Sequence, residues 1–418
     1  MFTPERITLT YYDRFATAFG LSWYTAAPGS PAIRYAPAAA AAAEAWSVVP
    51  CAVSPGLGGY QNTGVLSLPP EMDYVYQVGD AAADVWSPPA RLRRTTPHTP
   101  TRDDPQIPGS PRNGNVSWGG SFTFLFMSDT QDGEYRGAMW ARAYCEALRD
   151  YPDAAFLVHG GDIVDSGRDP EQWRDMLAHA RPYMMSIPTL PASGNHSYWS
   201  WAVGECSHID AQHFHIDLPP QDTTHGIYYA VEYGDTLFLV LNSGDTVEPG
   251  AALTANQLAW VEAELAATEK RWRLAVIHNP LYSPGKYGSH PERNREALGL
   301  RAQLGGLFDR YGVQLCMCGH DHLYMRTHPM DGAGQVAARG TVHFMPGCAG
   351  IQCRPPEDLT AAEAAVFAQY HRTYHRRASY AAVTVTAEAL TVRYHTVDCD
   401  DPTAHGVLEH SFVIEQGE

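Results

Sequence analysis

From Phe122 onward, apolar runs of strand length alternate with amphipathic helical stretches, and five of the runs end in clusters of carboxylate, amide or imidazole side chains. That alternation is the pattern of an α/β domain whose strands are joined through helices. Loops leaving the carboxyl ends of such strands converge on one crevice, so polar groups far apart in the chain can meet. Phe122 to Met127, Ala154 to Val158, Thr189 to Ala192, Leu274 to Ile277 and Val313 to Met317 are predicted strands. Gly137 to Tyr151, Glu171 to Ala180, Thr254 to Thr268 and Arg295 to Tyr311 are predicted helices, the first with Ala141, Tyr144, Cys145 and Leu148 on one face. Tyr228 to Glu232 and Thr236 to Leu241 read as a hairpin. The tail segments Gly340 to Phe344, Ser379 to Thr386, Ala389 to His395 and Ser411 to Ile414 are expected to pair as a second sheet.

The region before Phe122 has a different character. Short β-type runs, Ile7 to Tyr12, Ala18 to Tyr24, Ala32 to Tyr35, Gly64 to Leu68, Asp73 to Val78 and Val85 to Ser87, are punctuated by Pro and Gly clusters. They predict a small antiparallel β-sandwich. Thr95 to Gly120, rich in Pro and lacking apolar periodicity, reads as a linker.

The five strand-end motifs are Ser128-Asp129-Thr130-Gln131, Gly160-Gly161-Asp162-Ile163-Val164-Asp165, Gly194-Asn195-His196, His278-Asn279-Pro280 and Gly319-His320-Asp321-His322. Oxygen and imidazole donors without thiolate suit a hard or borderline cation, and a central carboxylate can bridge two ions about 3.5–4 Å apart. Glycine before Asp162, Asn195 and His320 allows a sharp turn without a Cβ clash. Of the 19 His, only His98 precedes residue 121, so imidazole chemistry belongs to the larger part of the chain. A formal charge of −17 excludes a broad basic face for nucleic acid. Any phosphate must be captured locally.

In order and spacing these blocks resemble the calcineurin-like metallophosphoesterase signature, in its purple acid phosphatase-like branch, over nearly all of residues 121 to 350. Leu241-Asn242-Ser243, Gln257, Trp260, Pro280-Leu281-Tyr282-Ser283 and His322-Leu323-Tyr324-Met325-Arg326-Thr327 add to the likeness. Ser22-Trp23-Tyr24-Thr25, Tyr74 to Asp80 and Trp86-Ser87 make the N-terminal region similar to the fibronectin type III-like domain of that branch. The resemblance implies a layered α/β/β/α catalytic domain over 121–418, a linker over 98–120 and an all-β sandwich over 1–97. It implies that Asp162 bridges two metal ions (Fe, Mn or Zn), with Asp129 and His322 on the first and Asn195, His278 and His320 on the second. A hydroxide held by the metals would attack phosphorus in line, and His196 would protonate the leaving alkoxide.

Two departures from the family pattern concern the first metal. Most members carry His two residues after the first Asp, where this chain has Gln131, and the purple enzymes carry Tyr three residues after the bridging Asp, where this chain has Asp165. Gln131 is a candidate ligand through its amide oxygen, and Asp165 is expected to support the ligands from behind. Without tyrosinate the purple absorption should be absent. His290, Lys286 and Arg326 are candidate substrate contacts, against the plainer reading of Lys286 as a surface lysine and Arg326 as a brace, with Tyr324, for the His320 loop. His159 is expected to bond backbone. His208, His213, His215 and His225 are expected in a polar loop over the pocket, and His371 with His375 on an exposed helix face. Cys348 and Cys353 could be joined across a short loop, although buried free thiols are the expected state.

The expected activity is metal-dependent hydrolysis of phosphoric esters, chiefly monoesters of small molecules, as in acid phosphatases. The alternatives are a phosphodiesterase on the same core, or a catalytically weak binding or scaffold protein that uses the sandwich. No apolar run approaches the ~20 residues of a membrane span, and the first residues show no export signal. The expectation is a soluble chain, cytoplasmic or exported with its signal removed. No feature sets an oligomeric state.

Overall fold

The computed structural model describes residues 3–39, 46–69, 72–92, 120–198, 209–221, 226–244, 253–289, 294–350, 352–371 and 376–417. Strand periodicity decides its layering. On Phe122–Met127, Phe124 and Phe126 face one core while Leu125 and Met127 face another. Thr236–Leu241 and Trp272–Ile277 behave alike: Phe238, Val240, Leu274 and Val276 join the first core, and Leu237, Leu239, Leu241, Ala275 and Ile277 a third. Because successive side chains point to opposite faces, each strand buries both of its faces.

Two sheets stack on the shared core. A six-stranded sheet runs in the order Thr189–Pro191, Leu157–His159, Phe122–Met127, Arg377–Val385, Ala389–Asp398, Val407–Glu415, its first three strands parallel. A seven-stranded sheet runs Tyr229–Tyr233, Thr236–Leu241, Trp272–Ile277, Leu315–Met317, Val342–Pro346, Tyr324–Thr327, Phe367–His371. Helices Ala138–Asp150 and Pro170–Met184 cover the outside of the first through Trp140, Tyr144, Trp173 and Leu177. Helices Ala255–Ala267 and Arg295–Tyr311 cover the second through Val261, Leu265, Leu300, Leu304 and Phe308. The result is the expected α/β/β/α stack.

The tail does not form a sheet of its own. Val342–Pro346 inserts beside Leu315–Met317, whereas the last three strands extend the sheet of Phe122–Met127, with Phe124 opposite Val383. Pairing with a strand some 260 residues away leaves no local trace in sequence. His371 ends a strand, opposite Tyr324, and is not on a helix; His375 lies outside the described residues.

The described strands between Glu5 and Leu92 form two facing antiparallel sheets. One runs Glu5–Tyr11, Ala18–Thr25, Gly59–Ser67, Ala52–Gly56; the other runs Ser47–Pro50, Pro31–Pro37, Tyr74–Asp80, Val85–Trp86, with Ala90–Leu92 also on Tyr74–Asp80. Ser47–Pro50 and Ala52–Gly56 are additional to the predicted runs. They are mostly exposed edge strands, so no apolar alternation marks them. The linker expected over 98–120 lies outside the described residues but for Gly120.

The insertion after residue 204 is not a pocket loop where it is described. His213 is fully buried between Tyr24 of the sandwich (ring centroids 5.3 Å) and Trp173 of the α/β layer (3.9 Å). Around it Thr8 Oγ1 donates to His213 O, Gln61 Nε2 to Ala211 O at 3.1 Å and Asp217 N to Tyr12 O at 2.8 Å. The segment wedges the two parts together; His208 and His225 lie outside the described residues.

Candidate metal centre

The strand-end turns set the site. Asp129, Asp162, His320 and His322 all have left-handed backbone conformations, with φ of 56°, 54°, 77° and 53°. Such strain on non-glycine residues is kept where surrounding structure enforces it, commonly at functional sites. Gly161, at φ 100°, lies where a Cβ would be 2.6 Å from His278 Nδ1, and a Cβ on Gly194 would fall on the Asp162 carboxylate. Both glycines therefore let neighbouring loops close to contact.

Asp162 sits at the centre. Its Oδ2 is 2.9 Å from His278 Nε2 and 3.9 Å from His196 Nε2, and its Oδ1 accepts from His196 N at 2.9 Å. Asn195 Oδ1 is 3.2 Å from His278 Nε2. Asp129 Oδ1 is 3.2 Å from His322 Nε2, and its two oxygens accept from His320 N at 2.9 and 3.1 Å. Ligand atoms of Asp162, His278 and His320 lie within 4.8 Å of one another, and so do those of Asp129, Asp162 and His322.

Backbone carbonyls orient the rings. His278 Nδ1 donates to Gly160 O at 2.8 Å and His322 Nδ1 to Gln352 O at 2.6 Å, which turns both Nε2 atoms toward the carboxylates. His196 Nδ1 donates to Asp165 O at 2.7 Å. Beneath the Asn195 turn, Asp210 accepts from Ser193 Oγ at 2.5 Å and Ser197 Oγ at 3.1 Å. His159 Nδ1 accepts from Gly161 N at 3.2 Å and its Nε2 donates to Thr130 Oγ1 at 3.1 Å, since that hydroxyl itself donates to Ile163 O. It braces the Asp162 turn.

The electrostatics call for positive charge. Asp129 and Asp162 are both buried, and the only cationic partners within ion-pair distance among the described residues are histidines. Burial alone would raise Asp162, but His278 outweighs it and holds the carboxyl at about 2; Asp129 is likewise held below the usual range, by His322. Conversely, burial disfavours the charged form of His278, yet Asp162 lifts it to about 9. A proton on His278 Nε2 thus does the work a cation could do between those carboxylates. Gln131, 1% exposed, keeps Oε1 without a hydrogen-bond partner while its Nε2 lies 3.5 Å from His322 Nε2. Carboxylate, amide and imidazole donors and an orphaned buried carbonyl oxygen all fit divalent or trivalent cations.

Residues 122–324 match the calcineurin-like phosphoesterase family. All five strand-end motifs of the site fall inside that matched stretch. The chain is 25% identical over 283 residues to "Probable inactive purple acid phosphatase 27" of Arabidopsis thaliana, covering 57% of this chain and 45% of that protein. It is 23% identical over 257 residues to human "Tartrate-resistant acid phosphatase type 5", covering 57% of this chain and 72% of that one. The chain spans less than half the length of the first curated relatives it matches. A purple acid phosphatase from yellow lupin (Lupinus luteus) seeds has the same fold, with a TM-score of 0.74, 18% identity and coverage of 99% of this chain and 74% of that one.

The remaining candidate residues are dispersed. The Asp165 carboxylate is 51% exposed and 3.5 Å from His196 Nδ1. Gln131 and Asp165 also line a cavity of about 240 Å³ with Asp132, Arg136, Asp169 and Gln172. Lys286 opens a single helical turn, Lys286–Ser289, after the His278 loop. Arg326 lies 4.7 Å over the Phe412 ring on the Tyr324–Thr327 strand, packed on protein rather than turned to the carboxylates. His290 lies outside the described residues. Gln352 and Asp210 are supporting residues that sequence reasoning missed. The first acts through a backbone carbonyl, which any residue type supplies, and the second stands in the insertion, remote from every motif.

Proposed function

We propose that the chain hydrolyses phosphoric esters, phosphomonoesters foremost, at a dinuclear centre. Asp129, Asp162, His322 and Gln131 would hold one cation, and Asp162, Asn195, His278 and His320 the other. The observation that carries this reading is that Asp162 belongs to both groups of converging donors. Bound cations would supply Lewis acidity toward the phosphoryl oxygens and an activated water. His196 Nε2, with Nδ1–H tied to Asp165 O, delivers the proton to the leaving oxygen. Gly160 O and Gln352 O keep His278 and His322 in the ligating tautomer.

Turnover of an aryl phosphate by purified protein, its loss to chelator and its recovery with Fe, Mn or Zn would support the reading. A rate unchanged by Asp162→Asn or His320→Ala would sink it, and rates on mono- and diesters measured side by side decide between phosphatase and phosphodiesterase. A second reading, a catalytically weak binding protein, is favoured by the exposed Asp165 carboxylate and by the amide of Gln131 at the first site. Substoichiometric metal with no turnover under any metal would select it.

A further inference from the structure

Residues 347–350 and 352–354, which follow the Val342–Pro346 strand, run past two of the three loops that would hold one candidate metal, those of Asp129 and His322. Ala349 N donates to Ser128 O at 2.9 Å and Gly350 N to Asp129 O at 3.0 Å. Gln352 O accepts from His322 Nδ1 at 2.6 Å, Arg354 N donates to His322 O at 3.1 Å, and Arg354 Nη1 donates to His320 O at 3.0 Å. This stretch is a strap that fixes Asp129, His320 and His322 relative to one another. Its two ends each carry a thiol. Cys348 Sγ and Cys353 Sγ are 3.8 Å apart, in van der Waals contact.

We propose that Cys348 and Cys353 are a redox modification site, a thiol pair that takes a small-molecule disulfide as oxidant and closes the strap into a ring. Cys353 is the partly exposed member and Cys348 is buried, so the oxidant meets Cys353 first. The Cys353 thiolate attacks the small disulfide, forming a mixed disulfide and releasing one thiolate. Cys348 Sγ, after losing its proton, attacks Cys353 Sγ and displaces the second. The balance is two protein thiols and one small disulfide giving one protein disulfide and two small thiols. Cys348 cannot travel, because its carbonyl accepts from both Ser379 N at 3.0 Å and Ser379 Oγ at 2.8 Å. Bond formation therefore draws the Cys353 end inward and pins Gln352 O, the group that orients His322. A cross-link across so short a segment removes the opening motions by which the strap would release that ring. The consequence falls on the candidate metal of Asp129, Gln131 and His322, where the weak amide donor makes retention most dependent on orientation.

This inference rests on the dinuclear reading above, and its test separates the two. The metal-loaded full chain is prepared with reducing agent or with oxidised glutathione, the disulfide is located by peptide mapping, and metal release to excess chelator is timed. The oxidised chain should carry a 348–353 link and release one class of ion about tenfold more slowly than the reduced chain, the scale of an outer-partner effect. Cys353→Ser should release at the reduced rate under both conditions, and Cys348→Ser should do the same. Cys348 and Cys353 remaining thiols, or pairing with other partners, would overturn the proposal. A 348–353 link that leaves release unchanged would overturn it too, with the dinuclear reading intact. A chain that binds no metal in either state would overturn both.

Discussion

The Nδ1–H of His196 is held by the backbone carbonyl of Asp165 at 2.7 Å, so the ring's other nitrogen, Nε2, looks back toward Asp162, 3.9 Å away. A proton on Nε2 is then placed over the crevice rather than toward solvent. The role this suggests is protonation of the leaving oxygen, which matters only when that oxygen is a poor leaving group. His196→Ala should lower kcat on an alkyl phosphate by about 10²–10⁴-fold and lower it far less on a nitrophenyl phosphate. Asp165→Asn, which keeps the carbonyl, should cost little on either. Equal losses on both esters with His196→Ala would rule out the acid role and leave substrate orientation.

Gly194 has no room for a side chain, because a Cβ there would collide with the Asp162 carboxylate and lie 2.5 Å from Asp162 N. Gly194→Ala must push apart the two loops that carry Asp162 and Asn195. Overpacking of this kind costs about 1–3 kcal/mol, so a lower melting temperature and reduced metal content by elemental analysis are expected together. Gly306 is the control: it lies within the Arg295–Tyr311 helix with nothing within 4 Å of its Cβ position. Gly306→Ala should stabilise by about 0.5–1 kcal/mol and leave metal content unchanged.

These contrasts show what a sequence exposes and what it conceals. Continuous apolar runs of strand length made the Phe122–Met127 and Thr236–Leu241 strands legible, and glycine beside Asp162, Asn195 and His320 marked the turns where backbone must approach closely. The strand-end positions of Asp129, Asp162 and His278 followed from where the apolar runs stop. What stayed hidden depends on distant pairing or on backbone atoms. No pattern in Arg377–Val385 announces Phe122–Met127 as its partner, and the carbonyls of Gln352 and Asp165 leave no mark in residue type. The burial of His213 was invisible for a related reason, since it is created by Tyr24 and Trp173 closing from two different parts of the fold.

His213 itself makes a stability prediction. Both ring nitrogens lack hydrogen-bond partners, and burial, reinforced by the Arg6 guanidinium, holds the imidazole well below its ordinary value. The other groups facing it, Arg6 and Tyr24, keep their charge state between pH 5 and pH 7. With a folded value below the unfolded one, stability is fully present above pH ~6.5 and is lost as pH falls, because only the unfolded chain takes up the proton. His213→Phe keeps an aromatic ring between Tyr24 and Trp173 and removes both unsatisfied nitrogens. Its melting temperature should match or exceed that of the parent at pH 7, with a gap that widens toward pH 5. A gap independent of pH would show that the His213 proton is not excluded by folding.

Asp210 titrates with the opposite sign. Burial raises its carboxyl to about 6, despite the hydroxyls of Ser193 and Ser197 that donate to it. A folded value above the unfolded 3.8 means that the folded chain keeps a proton the unfolded chain has lost. Its contribution is therefore full below pH ~3.8 and declines as pH rises through 6, by about 3 kcal/mol for two pKa units. Asp210→Asn has no such titration. The stability of the parent minus that of Asp210→Asn, followed by denaturant unfolding, should fall between pH 4 and pH 7 and level off above it. His213 is common to both chains and cancels in the difference. A flat difference would place the Asp210 charge in a better-solvated setting than its burial beneath the Asn195 turn implies, and would remove it as a pH-sensitive brace of that turn.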